Sequence, residues 1–212
     1  MKGELSRLQS GAASLGLALD DQLALSLIDF LDELYRWNRV QRLTAIPREQ
    51  AVEAQLLDSL ALVDCLSGCS DIVDLGSGAG LPGVPLAVVL PGVRVTLVEK
   101  RRKRAGFLEQ VIRCCRLTNC SVINEDVESP GVRDRRFDAV VSRAFQAPHR
   151  FLETGAGLLR EGGHLLVMAG GAAAQPDPGQ SGLQFERQRD YDIGRAGGRR
   201  LFVYRLNDDG QG

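Results

Sequence analysis

The chain has 212 residues, 44% of them hydrophobic and 25% charged, with a formal net charge of -1. That composition fits an ordinary soluble globular protein of one main domain plus a short extension, and it argues against bulk electrostatic coating of nucleic acid while leaving room for a local basic patch. No apolar stretch is long enough to span a bilayer, the amino terminus lacks the apolar centre of a signal peptide, and Cys65, Cys69, Cys114, Cys115 and Cys120 form no C-x-x-C pair, so reduced thiols in the cytoplasm are expected, with no membrane, disulfide framework or zinc site.

Residues 1–68 read as a helical extension. Leu23, Leu27, Phe30, Leu34 and Trp37 recur at intervals of three and four, and Leu56, Leu60 and Val63 continue the spacing on a second segment. From Asp71 the texture changes to short apolar runs, "DIVDL", "VRVTLVE", "CSVIN", "FDAVVS" and "HLLVMA", separated by amphipathic segments. Strand, helix, strand alternation of that kind predicts an α/β unit over residues 69–207, with a parallel sheet covered by helices on both faces. The Gly, Pro and Ala rich stretch at 170–182 reads as a flexible loop, lid or linker, and "LQFERQRDYDI" with "RRLFVYRL" reads as a terminal antiparallel hairpin. His149 is expected to open a helix and His164 to start a strand, both in structural roles.

The stretch "DLGSGAGLPGVPLA", Asp74 to Ala87, crowds glycine and proline directly after the first apolar run and must be a tight loop. Gly78, Gly80 and Gly83 formally satisfy the dinucleotide fingerprint, but the first turn glycine is Gly76, and counting from there Leu81 falls where the last glycine belongs. No G-K-S/T follows, which removes a phosphate-cradling loop. Gly76, Gly78 and Gly80 let the backbone approach a ligand, while Asp74 at the strand end repels a phosphate and suits a cationic amine. S-adenosylmethionine (SAM), with an amino group, a sulfonium and no phosphate, meets those conditions. Glu99 closes the next strand, where a carboxylate can take both ribose hydroxyls of a nucleoside.

Several segments together resemble the RsmG family, also called GidB: the glycine loop, "RLTAI" at Arg42 to Ile46, "LLDSLA" at Leu56 to Ala61, "KRAGFLEQV" at Lys103 to Val111 and "SRAF" at Ser142 to Phe145. The resemblance implies a class I SAM-dependent methyltransferase fold, Rossmann-like, with a seven-stranded, mostly parallel sheet. It also implies methylation of N7 of one guanine in small-subunit (16S) ribosomal RNA. Carried over by position, SAM contacts fall on Gly76, Leu81, Val127, Glu128 and Arg143, with Glu99 at the ribose. The chain departs from the family's pattern at Arg42, where Asn is usual, at Gln55, where His is usual, at Asp126, and at Ala169, where Lys is expected.

Guanine N7 offers a lone pair without a proton, so no general base is needed and positioning supplies the catalysis. Arg143, just past the fourth strand, is the residue expected to meet the cofactor carboxylate or the guanine. The run Lys100, Arg101, Arg102, Lys103 and Arg104 places positive charge at a helix start, against the helix dipole, and is expected to serve RNA phosphates, with Arg36, Arg39 and Arg42 extending the patch. The implied partner is the small ribosomal subunit or its RNA, and a monomer is expected, although the sequence carries no signal for oligomeric state. A catalytically weak paralogue that binds SAM or RNA, a methyltransferase for another acceptor, and an NAD-dependent oxidoreductase stay open as alternatives.

Overall fold

A computed structural model describes residues 2–143, 147–194 and 197–207. The amino-terminal part opens with helix α1 (Lys2–Ser14) and continues into α2 (Asp21–Gln41). Asp20 caps α2 by accepting from the Leu23 amide at 2.8 Å, which satisfies one of the amides that the first turn leaves unpaired. The helix ends at Arg42, whose φ of 48° is left-handed. One stripe of α2, formed by Ala24, Leu27, Ile28, Phe30, Leu31 and Leu34, is buried, as the spacing of the apolar residues requires.

The second predicted helix of the extension takes a different form. Val52–Leu57 is a π-helical turn, Asp58–Leu60 is a single α-turn (α3), and Val63–Leu66 is a 3-10 turn. Residues 55–62 are buried without interruption. A segment enclosed on every side has no solvent-facing stripe to hold it to a regular helical period, and the chain there is wound by its surroundings.

Seven strands form one sheet: β1 (Asp71–Leu75), β2 (Arg94–Val98), β3 (Cys120–Ile123), β4 (Phe137–Ser142), β5 (Leu159–Gly170), β6 (Leu183–Asp192) and β7 (Gly198–Leu206), in the order β3-β2-β1-β4-β5-β7-β6. β1 to β5 pair in parallel, and β7 is inserted antiparallel between β5 and β6. The predicted terminal hairpin is therefore present, with its second strand against the parallel sheet. β5 begins at Leu159, so His164 lies within the strand and not at its start; its Nε2 is 3.2 Å from Glu186 Oε2. His149 stands in the first turn of α7 (Pro148–Ala156).

Helices α4 (Gly83–Val89) and α5 (Arg102–Cys114) cover one face of the sheet. Val84, Leu86, Phe107 and Leu108 share a continuous apolar cluster with Ile72 and Leu97 of the strands and with Leu8, Leu27, Phe30 and Leu34 of the extension. On the other face α6 (Pro130–Arg133) and α7 contribute Val132, Phe151 and Leu152 to a cluster around Val73, Leu75 and Tyr204. The thiols of Cys65, Cys69 and Cys115 are pushed up to about 11 and that of Cys120 to about 12, in each case first by burial, which keeps them protonated and inert.

The loop after β5 is tied down. Arg200 Nη1 donates to the Ala173 carbonyl at 2.8 Å and the Tyr204 hydroxyl donates to the Pro176 carbonyl, both from β7.

Phe30 has no exposed surface, and its ring packs where α2 meets the glycine loop. Phe30→Ala should lower unfolding stability by about 3–5 kcal/mol, read from denaturant midpoints, because the cavity is enclosed by both the extension and the sheet. A loss below about 1 kcal/mol would mean that the extension packs loosely.

Candidate functional site

The loop between β1 and α4 hangs on a single carbonyl. The amides of Gly76 and Ser77 both donate to Val98 O, at 2.9 and 3.0 Å, and so bend the chain over the end of β2. This path needs left-handed backbone, with φ of 69° at Gly76, 52° at Gly78 and 82° at Gly80. A Cβ on Gly80 would lie 2.8 Å from Val84 Cγ2 and 3.2 Å from Leu108 Cδ2, so this glycine is also required by packing.

Glu99, 5% exposed, lies beneath the loop. Its Oε2 accepts from the Gly78 amide at 3.1 Å and its Oε1 from the Arg101 amide at 2.7 Å, while Asn124 Nδ2 donates to its backbone carbonyl. The carboxylate is thereby fixed in orientation. Each oxygen keeps a second lone pair, enough to accept from two adjacent hydroxyls.

Asp74 is placed differently from an exposed electrostatic lure. It is fully buried, with Oδ2 accepting from the Gly83 amide at 3.0 Å and Oδ1 without a protein partner. Burial raises its pKa to about 7, opposed by the Gly83 amide and by the Arg143 guanidinium. It braces the start of α4 from below, and Oδ1 is the atom it has left to offer a ligand. Leu81 is buried in the core, so a contact from this residue to a cofactor must come through its backbone.

Val127 is buried and Glu128 is exposed, in the turn after β3. Asp126 organises this turn: Oδ1 accepts from the Glu128 amide at 3.2 Å and Oδ2 from Lys100 Nζ at 3.1 Å. The Glu128 amide first, and then Lys100, hold the Asp126 carboxyl below its usual range. Glu128 lines a cleft of about 410 Å³ with Arg133, Arg136 and Arg150.

Arg143 follows β4 and turns toward the extension. Its Nη1 donates to the Ala54 carbonyl at 3.2 Å and stands 3.9 Å from Asp58 Oδ2. Asp58, which stands in the "LLDSLA" segment, is a functional candidate not named among the site residues expected from the sequence. Nearby, Gln55 is fully buried, donates to Thr44 Oγ1 at 2.8 Å and leaves its Oε1 unpartnered. Ala144 and Phe145 of the "SRAF" stretch lie outside the described residues.

The basic run is divided. Arg101, Arg102 and Lys103 are exposed at the start of α5, Lys100 is paired with Asp126, and Arg104 turns back, its Nη1 3.5 Å from where a Cβ on Gly78 would stand. The run is thus an exposed triplet flanked by Lys100, which reaches the Asp126 turn, and Arg104, which reaches the glycine loop.

A family model described as rRNA small subunit methyltransferase G matches residues 24–188. Proteins named ribosomal RNA small subunit methyltransferase G include one from Aromatoleum aromaticum, 43% identical over 77% of this chain and 79% of its own, and one from Polynucleobacter asymbioticus, 40% identical over 74% of each. Among solved structures, the O-methyltransferase from Bacillus cereus in complex with SAH has a TM-score of 0.58 and 15% identity, covering 84% of this chain and 90% of that one. TrmN from Thermus thermophilus has a TM-score of 0.57 and 18% identity, covering 73% and 49%. Both likenesses concern the fold.

Because Asp74 stays protonated in the folded chain up to about pH 7 while an unfolded aspartate ionises near 3.8, its contribution to stability is present at acid pH and is lost as pH rises through that window. Asp74→Asn removes the titration. The stability of the native protein minus that of the variant should fall between about pH 4 and pH 7, by about 1.4 kcal/mol for each pH unit fully spanned. Urea unfolding of both proteins across this range measures it, and a pH-independent difference would mean that Asp74 is ionised where it lies.

Proposed function

The chain belongs to the rRNA small subunit methyltransferase G family, and on that premise we propose that it transfers a methyl group from SAM to N7 of one guanine in 16S ribosomal RNA, acting on the small ribosomal subunit. The observation that carries the cofactor reading is the fixed Glu99 carboxylate beneath a loop of left-handed glycines at the carboxyl end of the parallel strands, where sheets of this type bind ligands. Three features support the fit to SAM. Glu99 has acceptor capacity for both ribose hydroxyls, Gly76 and Gly78 bring backbone within reach of a ligand, and the buried, unpartnered Asp74 Oδ1 suits an ammonium group.

When bound, SAM supplies an electrophilic methyl group on a sulfonium. The protein's task is to orient, since the guanine N7 lone pair carries no proton to be removed. Holding nucleophile and methyl carbon in line can lower the barrier by about 7–11 kcal/mol. Gly76, Gly78, Leu81 and Glu99 hold the nucleoside side, Val127 and Glu128 its base edge, and Arg143 the junction with the acceptor. Arg104 of α5 brings its guanidinium against Gly78 on the same side of the loop.

Arg101, Arg102 and Lys103 form the RNA-facing surface. The Trp37 and Phe107 rings, 5.8 Å apart, join α2 to α5, which places the exposed Arg39 and Arg42 at the end of a helix packed beside that triplet.

The decisive experiment incubates the protein with tritiated SAM and small ribosomal subunits from a bacterium without its own enzyme of this family, then maps the label. Label at one guanine N7, strongly reduced but still measurable in Arg143→Ala, is the expected result; a protein that binds SAM and labels no ribosomal RNA would overturn the reading. Replacing Arg101, Arg102 and Lys103 by glutamate should weaken subunit binding and flatten its dependence on log salt by about 0.7–0.9 for each phosphate that is no longer neutralised. SAM affinity, measured by calorimetry, should stay unchanged in that variant.

A further inference from the structure

Asp58 has no solvent exposure, and it lies between Leu57 and Ser59 in the wound segment of the extension. An ionised carboxylate in such a place is costly unless cations and hydrogen bonds surround it. Three bonds do so: the Tyr191 hydroxyl donates to Oδ1 at 2.7 Å, Arg199 Nε to Oδ1 at 2.9 Å and Arg199 Nη2 to Oδ2 at 2.8 Å. Tyr191 and Arg199 face each other across β6 and β7. Oδ2 is also the acidic oxygen 3.9 Å from Arg143 Nη1.

Two guanidiniums therefore share one buried carboxylate. Without it Arg143 and Arg199 would repel each other in a poorly solvated space, and Arg143 would turn toward the nearest anion or water. The other anchor of Arg143, the Ala54 carbonyl, comes from the same short segment. Among the described residues, the two groups closest to Arg143 Nη1, the Ala54 carbonyl and Asp58 Oδ2, thus belong to the extension and neither to the strand that carries Arg143.

The geometry points to Asp58 as a positioning residue for methyl transfer: it fixes the direction of the Arg143 guanidinium while binding the extension to the terminal hairpin through Arg199 and Tyr191. It touches neither the cofactor nor the acceptor base. This inference rests on the methyltransferase reading above.

The test is a double-mutant cycle of Asp58→Asn and Arg143→Ala, read by single-turnover methyl transfer to small ribosomal subunits, with SAM affinity from calorimetry and folding from thermal melts. Asp58→Asn should reduce the transfer rate by about 100-fold, the scale of a misplaced reacting geometry, with little change in SAM affinity. In the Arg143→Ala background the same substitution should have almost no further effect, and Asp58→Glu should recover part of the loss. Tyr191→Phe removes one hydrogen bond and no charge, so it serves where Asp58→Asn does not fold; it should slow transfer only when Arg143 is present. Multiplicative losses in the cycle, or activity that merely follows the folded fraction, would overturn the inference. Absence of transfer by the unmodified protein would instead overturn the functional reading on which it rests.

Discussion

The Val98 carbonyl is the point from which the ligand end of this molecule is built. By accepting from both Gly76 and Ser77 it forces the chain leaving β1 to fold back over β2, and only then does the Gly78 amide reach Glu99. The register of β1 on β2, which sets Leu75 beside Val98, puts the acceptor in place. Since these are backbone groups, the loop is specified by the absence of side chains and by left-handed φ, not by any particular side-chain partner. The same absence at Gly80 admits Val84, Leu108 and Phe30 to close approach, so the bend that makes the pocket also receives the extension.

Three of the buried carboxylates, Glu99, Asp58 and Asp74, then divide the electrostatic problem of the site among themselves. Glu99 is held by two amides, Asp58 by a tyrosine hydroxyl and two guanidiniums, and Asp74 by the Gly83 amide on one oxygen, with Ser77 and the Arg143 guanidinium acting on it more weakly and Oδ1 unpartnered. Leaving a charge buried without compensation costs several kcal/mol, and burial is the first cause that raises the pKa of Asp74. Asp74 near neutrality is therefore a consequence of its poor partnering. An incoming ammonium group would supply what the protein withholds and return Asp74 to the ionised form.

The sheet was legible because its strands are buried on both faces, leaving unbroken apolar runs; "DIVDL" and "FDAVVS" coincide with β1 and β4. The glycine loop and Glu99 were legible for a related reason, since a backbone requirement writes itself as glycine. The winding of Val52–Leu66 was not, because enclosure on all sides erases the helical stripe, and Asp58 was hidden with it. Its partners Arg199 and Tyr191 lie 141 and 133 residues further along the chain, a separation at which local pattern carries no information. The basic run reads as one patch because sequence gives no side-chain direction: Lys100 and Arg104 are turned to the ligand loops by Asp126 and by the open face of Gly78.

Placement also sorts the four departures from the family's pattern. Arg42 occupies a left-handed helix end, a conformation that Asn adopts easily and Arg at a cost of about 1–2 kcal/mol, so the exchange bears on backbone strain and leaves the pocket alone. Ala169 lies within β5 opposite Arg200, and Asp126 closes the turn that carries Val127 and Glu128. Gln55 is the one that is fully buried, next in sequence to the Ala54 carbonyl that accepts from Arg143, and its amide still donates to Thr44 as an imidazole N–H would. What it removes is a group that titrates near neutral pH. Attack by an unprotonated N7 has no proton for such a group to carry, and the Gln55 amide keeps a donor on Thr44 that holds the extension's turn in place.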